Sequence, residues 1–266
     1  MDLTISSVLT TCFLNSIVAL IFIFIFKRER VFQKVGPESM LVSLLLIILR
    51  MFLPIEFGYA YSVRVGEFLP AIRMALINPV FSEPIEITTW HLLCAVWISG
   101  IIVAVIYKLI SYSKMMRCMK SLPTIEGSVF RNQYELEQYQ ELDGIKVFYS
   151  ENIKTPCVMG VKTHYLLLPK TLCAEQQLYY VLLHEIMHIR NKDIVWKIIL
   201  DLLCTVFWWN PVFSYLKKEF FRLIEMRNDI KIVSSLSETG AVQYMECLMD
   251  IAVQVSETDM AIWSIF

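Results

Sequence analysis

The sequence carries no excess of positive charge. Its 24 Lys and Arg against 25 Asp and Glu leave a formal charge of −1 over 266 residues, without the basic surplus that neutralises phosphates, which argues against nucleic acid as a direct partner. It also has no CxxC pair. The seven cysteines (Cys12, Cys94, Cys118, Cys157, Cys173, Cys204, Cys247) are odd in number and scattered, which speaks against a disulfide framework and against a thiolate zinc site; they read as reduced core residues. Histidine is scarce, with four in the whole chain. Apolar residues are plentiful: 56% of the chain is hydrophobic, mean hydropathy is +0.56, and the long apolar runs mark an integral membrane protein.

Three runs approach the length of about 20 apolar residues that a bilayer crossing takes. Ile5 to Phe26 is the clearest, and Lys27-Arg28-Glu29-Arg30 with Lys34 behind it predicts a cytoplasmic loop and an external N-terminus. The flank before it is acidic and no small-residue cleavage signal follows, so a removable signal peptide is the weaker reading. Met40 to Phe57 then runs outward, with Arg50 snorkelling toward the outer interface or making a contact inside the membrane. Residues 58–86 read as an external loop. Thr88 to Leu109 returns inward, and Lys108, Lys114, Arg117 and Lys120 agree with a cytoplasmic exit. Residues 1–120 are therefore expected to form a membrane domain and residues 121–266 a cytosolic one.

Past Ser121 the character changes. Leu122 to Asp143 is polar and charged. Gly144 to Ser150, Cys157 to Val161 and Tyr165 to Leu168 read as short strands, with a turn at Thr155-Pro156 and a stop at Pro169. Leu172 to Arg190 has the length and apolar spacing of a buried helix, with Asn191-Lys-Asp193 as its exit.

On that helix His184 and His188 stand four residues apart on one face, with Glu185 beside them. This is HExxH, in which two neutral imidazoles bind Zn²⁺ and the glutamate takes a proton from water. The bland alternative is a helix whose histidines satisfy core hydrogen bonds. A third ligand decides between them, and Glu225, with Asp229 one turn later, is the strongest candidate. His91 and His164 fall in a membrane segment and a strand.

Glu225 can reach the histidines only if Ile194 to Tyr215 is not a fourth crossing. Asn210-Pro211 is a good helix start, which divides the segment in two. Ile194 to Trp209 then spans roughly 24 Å, short of the roughly 30 Å hydrocarbon core, and the return from Asn210 to Glu225 covers roughly 22 Å. Lys197 and Asp201 interrupt the first arm further. The spacing predicts a hairpin whose tip, Phe207-Trp208-Trp209, packs beneath other helices or dips into the bilayer interface.

His184-Glu-Ile-Met-His-Ile-Arg-Asn-Lys-Asp193, Trp208-Trp-Asn-Pro211 and Glu225-Met-Arg-Asn-Asp229, with Thr155-Pro-Cys-Val-Met-Gly160 and Leu166-Leu-Leu-Pro169 upstream, together resemble the bla/mec-type antirepressor metallopeptidases, integral membrane signal transducers of β-lactam resistance. The likeness covers most of the chain. It implies an α-helical membrane protein with three transmembrane helices and a cytosolic α+β metalloprotease domain of the glutamate-zincin type, including a re-entrant or buried helical hairpin. It further implies a zinc endopeptidase in which His184, His188 and Glu225 hold the ion, Glu185 is the base, and Asp229 orients a histidine. The partners implied are the lipid bilayer and a protein substrate, either a cytosolic transcriptional repressor or the chain itself; a homodimer is compatible with this. The strand around Val158 to Val161 is an edge on which an extended substrate could be held by β-augmentation.

Full-length members of that family carry a further membrane helix and an external penicillin-binding sensor, and the sequence in hand ends at Phe266 before either. Ser111-Tyr-Ser-Lys114 has the SxxK form of such sensors, but no SDN or KTG partner accompanies it, and Lys162-Thr-His164 is a near miss; both read as chance. Two other functions fit parts of the sequence: a protease of the CAAX-prenyl type, which shares HExxH and ExxxD, and a noncatalytic membrane signalling scaffold in which the HExxH helix is structural.

Overall fold

A computed structural model describes residues 5–52, 71, 74–75, 77–81, 87–134, 136–151, 153, 155–170 and 175–256. Cys173, the start expected at Leu172, and most of the loop 58–86 lie outside the described residues. The chain divides into two compact units, 1–106 with 204–220, and 107–203 with 221–266.

In the first unit, α1 (Ile5–Phe26) coincides with the first expected span. α2 (Glu29–Phe52) begins earlier than the Met40 start read from hydropathy, and residues 53–57 of that reading are not described. The early start is two helical pieces joined at Gly36, whose φ of 73° and ψ of 157° are not helical. Pro37 follows, with no N–H to give and a ring preset for a first helical turn. Arg50 stands in the last turn of α2. A two-stranded antiparallel ribbon, β1 (Pro79–Phe81) and β2 (Ile87–Thr88), leads into α3 (Thr89–Lys120), longer than the expected Thr88 to Leu109. His91 belongs to the start of α3, where its Nδ1 lies 2.7 Å from Thr88 Oγ1.

Among the described residues, two helical stretches are long and apolar enough to cross a membrane, Arg30–Arg50 and Thr89–Lys120, and a shorter apolar stretch, Cys12–Phe26, lies in α1. The apolar window of α3 is 0% buried within the protein. An apolar helix of this length has the dimensions a bilayer crossing takes.

In the second unit the three expected strands, found as β4 (Ile145–Ser150), β5 (Cys157–Met159) and β6 (His164–Pro169), form one sheet with an unexpected fourth, β3 (Thr124–Glu126), in the order β3-β4-β6-β5. β4 and β6 are parallel, with Val147 opposite Leu166, and β5 returns antiparallel along β6, with Val158 opposite Leu166. The turn between β5 and β6 requires Gly160, whose φ is 87° and where a Cβ would lie 2.2 Å from Thr163 O. The stretch Leu122 to Asp143, read only as polar, contains β3, the short α4 (Gly127–Gln133) and a 3₁₀ turn at Gln140–Gly144. Its buried members are anchors for the core: Phe130, Leu136 and Leu142 pack with Val147, Leu166 and Leu168 of the sheet.

Against this core lies α5 (Glu175–Arg190), whose Leu182, Leu183, Ile186 and Ile189 are buried. α6 (Asp193–Val206) and α7 (Pro211–Ser235) make the expected hairpin. Asn210 caps α7, its Oδ1 accepting from Val212 N–H at 3.0 Å, as a side-chain oxygen at that position should. In the first unit the hairpin's turn is fixed by polar contacts: Trp97 Nε1 donates to Val206 O at 2.6 Å, Asn210 Nδ2 to Ser16 Oγ at 2.9 Å, and Gly100 admits the Trp208 indole where a Cβ would come within 2.4 Å. α8 (Glu238–Ser256), unread in the sequence, closes the second unit and buries Tyr244.

Of the described cysteines all are free, but they are not uniformly core: Cys247 is buried, Cys118 is exposed, and the rest are half-buried.

Candidate metal centre

His184 and His188 lie one turn apart on α5, so their rings stack edge to face with centroids 4.9 Å apart. Glu225 comes from the middle of α7. The three facing atoms make a nearly equilateral triangle: His184 Nε2 to His188 Nε2, His184 Nε2 to Glu225 Oε2, and His188 Nε2 to Glu225 Oε2 are each 3.2 Å. Two arms of the hairpin and the HExxH helix thus meet within one unit, as the carboxylate's return required. His164 stays outside the triangle, its Nδ1 2.8 Å from Gly160 O across the β5–β6 turn.

The outward nitrogens are each held by an acceptor. His188 Nδ1 is 2.9 Å from Asp193 Oδ2, and Asp193 is 0% exposed. Asn228 Nδ2 donates to the same oxygen at 2.7 Å, and Arg227 pairs with the other carboxylate oxygen. His184 Nδ1 is 2.9 Å from the Tyr244 hydroxyl and 3.2 Å from Asp229 Oδ1, and that hydroxyl donates to Asp229 at 2.6 Å. With Nδ1–H pointing to these acceptors, both Nε2 lone pairs turn inward toward a carboxylate oxygen. Three electron-rich atoms at 3.2 Å demand a positive charge between them. Bonds of about 2.0 to 2.1 Å to a tetrahedral zinc correspond to ligand separations of about 3.3 Å, so the donor set fits that ion in type and spacing.

With no ion between them, the same crowding of acceptors favours protons on the imidazoles. Burial pulls His184 down, yet its hydrogen bonds to Asp229 and Glu225 overcome this and push it up to about 10. His188 is likewise raised by Asp193 and Glu225 against its burial. Burial pushes Glu225 up, but its contacts with the two histidines and with Lys197 hold it well below the usual carboxylate range. Asp193 is lowered, its burial outweighed by His188, Asn228 and Arg227.

Glu185, the remaining member of the motif, is 7% exposed. Its charge is felt by Cys157 on β5, whose thiol burial pushes up to about 12, with Glu185 adding to the rise. β5 is the outermost strand on this side of the sheet. Beside His188 opens a cleft of about 360 Å³ walled by Val161, Ile189, Ile194 and Val195, with His164 and Lys192 at its polar side. The expected residues His184, His188, Glu225 and Asp229 are thus brought together. Asp193, Asn228, Tyr244 and Lys197 join them without having been read as site residues. Asp193 and Asn228 both stand inside motifs quoted above, Asp193 reading locally as a helix exit and Asn228 only as a spacer, and nothing in the sequence around Tyr244 marks it.

The family model described as BlaR1 peptidase M56 matches residues 10–265 of the chain. Among individual proteins, the regulatory protein BlaR1 of Bacillus licheniformis is 31% identical over 163 residues, 58% of this chain and 26% of that protein. The regulatory protein BlaR1 of Staphylococcus aureus is 22% identical over 278 aligned positions, 95% of this chain and 46% of that protein. The methicillin resistance mecR1 protein of Staphylococcus epidermidis is 20% identical over 178, 63% and 29%. The chain therefore spans less than half the length of these relatives.

Proposed function

The chain belongs to the M56 peptidase family, and we propose that it is a membrane-embedded zinc endopeptidase whose ion is held by His184, His188 and Glu225, with Glu185 as the catalytic base. The observation that carries this reading is the 3.2 Å triangle of inward-facing donors, each backed by its own acceptor or cation. When bound, zinc supplies the Lewis acidity that activates water and polarises a peptide carbonyl. Glu185, adjacent to His184 and shielded from bulk water, takes the proton from the attacking water and returns it to the leaving amine. Asp193 and Asp229 hold the imidazoles in the tautomer that turns Nε2 inward.

An extended peptide added along the free edge of β5 would run past Glu185 with its backbone paired to the strand. The cleft beside His188 would receive one of its side chains, and its valine and isoleucine walls favour an aliphatic residue. The apolar helices support a membrane location, and the positive clusters after α1 and along the end of α3 favour an external N-terminus and a cytosolic active site. The family resemblance read from the motifs points to a cytosolic repressor or the chain itself as substrate, and relatives named as regulatory and methicillin resistance proteins support a role in induction of β-lactam resistance.

Metal analysis tests the reading. Wild-type protein purified in detergent should carry about one zinc per chain, Glu225→Ala should lose it, and Glu185→Gln should keep the ion while losing proteolysis of itself and of a co-expressed repressor. Wild type free of zinc, or Glu185→Gln as active as wild type, would remove the proposal.

A further inference from the structure

Glu225 uses its two oxygens differently. Oε2 faces both histidines at 3.2 Å, whereas Oε1 accepts from Lys197 Nζ at 3.1 Å. The same ammonium lies 5.6 Å from the centroid of the Phe221 ring. Phe221 and Glu225 are four residues apart on α7, so one helix face offers a ring and a carboxylate that together hold the cation. On the opposite arm, Asp193 and Lys197 are also four residues apart, so one face of α6 presents Asp193 to His188 and Lys197 to Glu225. A charge in a mostly apolar helix needs a reason, and Lys197 has one: its side chain is 30% exposed and ion-paired with a carboxylate that is itself aimed at the histidines.

We propose that Lys197 is a positioning residue that occupies one oxygen of Glu225, so that the carboxylate offers a metal only the other. The proposal rests on the metal-site reading given above and adds to it a reason why a coordination corner stays open. A hydrolytic zinc site has three protein donors and a fourth place for water. A carboxylate free to bind through both oxygens would add a fifth donor beside the water and crowd the place that should stay open. The lysine ammonium is a compact charge with three donors, suited to holding a single oxygen. The four charged or polar holders then divide the labour: Tyr244 and Asp229 serve His184, Asp193 serves His188, and Lys197 serves Glu225.

The test uses the full chain in detergent, loaded with cobalt(II) in place of zinc, because cobalt absorbs strongly in the visible when four-coordinate and weakly when five-coordinate. Wild type should give the intense spectrum. Lys197→Met should still hold about one ion per chain but absorb severalfold more weakly, and Lys197→Arg should restore most of the intensity. A Lys197→Met spectrum equal to that of wild type, a Lys197→Met chain that takes up no cobalt, or a Lys197→Arg chain as altered as Lys197→Met would each overturn the role given to Lys197. Wild type that binds neither cobalt nor zinc would instead overturn the metal-site reading beneath it.

Discussion

Asp193 Oδ2 lies 2.9 Å from His188 Nδ1, with no part of Asp193 exposed to solvent. The carboxylate is buried at the first turn of α6, where the unpaired N–H groups of the helix favour negative charge, and it is satisfied by Asn228 and Arg227 as well as by the imidazole. Removing it strips three donors of their acceptor at once. Asp193→Ala should destabilise the fold by about 3 kcal/mol, as loss of one member of a buried ion pair does, and lower zinc affinity by roughly 10- to 100-fold. Asp193→Asn keeps an acceptor oxygen for one donor and should fall between. Denaturant unfolding beside zinc competition with a chelating dye measures both; a variant as stable and as tight-binding as wild type would show that His188 needs no such partner.

The cluster's need for positive charge gives opposite pH behaviour with and without metal. In metal-free protein His184 is raised from 6.5 to about 10 by its carboxylate partners. Its pairing therefore contributes fully to stability below pH 6.5 and is lost as pH rises through about 10. Zinc has to displace that proton, so its affinity should increase across the same window, by up to about tenfold per pH unit for each proton released. Chelated protein should melt at progressively lower temperature from pH 6.5 to 10 while the dye assay reports tightening zinc. Parallel trends in the two would contradict the assignment of His184 to the ion.

Much of the site could be read from the chain because its signals are local. HExxH on a helix brings two imidazoles to one face by periodicity alone, and Asn210-Pro211 states a helix start in its own chemistry, which was enough to send Glu225 back toward them. Of the holders only Asp229 was named beforehand, through the resemblance; the others were not legible, since each acts across the fold. Asp193 reads as a helix exit until His188 is seen beside it, Lys197 reads as an interruption of an apolar arm until Glu225 is, and Asp201, the other interruption, pairs with Lys108. α8 carries no motif at all, although it delivers Tyr244. In the first unit, hydropathy located the apolar stretches but not the start of α2, because charged and polar residues interrupt Val31 and Phe32 between Lys27 and Lys34 and the Gly36-Pro37 join looks like a loop.

The same locality makes Asn210 a test of the hairpin. Its Oδ1 caps α7 through Val212 N–H, and its Nδ2 reaches Ser16 Oγ on α1. Asn210→Ala should cost about 1 to 2 kcal/mol, read as an earlier unfolding midpoint with Trp208 and Trp209 fluorescence as the probe. Asn210→Asp preserves the acceptor and loses the donations to Ser16 Oγ and Cys12 Sγ on α1, so it should recover the part of the loss that belongs to the cap. Equal destabilisation by both would mean that the tie to α1, and not the cap, dominates.

Tyr244 and Asp229 make a directional pair behind His184. The Tyr244 hydroxyl donates to Asp229 at 2.6 Å, so its oxygen is left to accept from His184 Nδ1–H at 2.9 Å. Tyr244→Phe removes the hydroxyl but leaves Asp229 Oδ1 3.2 Å from Nδ1, so the tautomer survives and zinc affinity should fall by no more than about tenfold. Asp229→Ala is the harsher change. Once freed from Asp229, the hydroxyl can turn and donate to Nδ1, which drives the imidazole proton to Nε2, the atom that faces His188 and Glu225; affinity should drop toward about 100-fold. The double variant Tyr244→Phe with Asp229→Ala takes away that wrong donor, so it should bind zinc no worse than Asp229→Ala alone. Additive losses in the double variant would show that the two side chains act on His184 independently, and the proton direction inferred from the 2.6 Å contact would have to be abandoned.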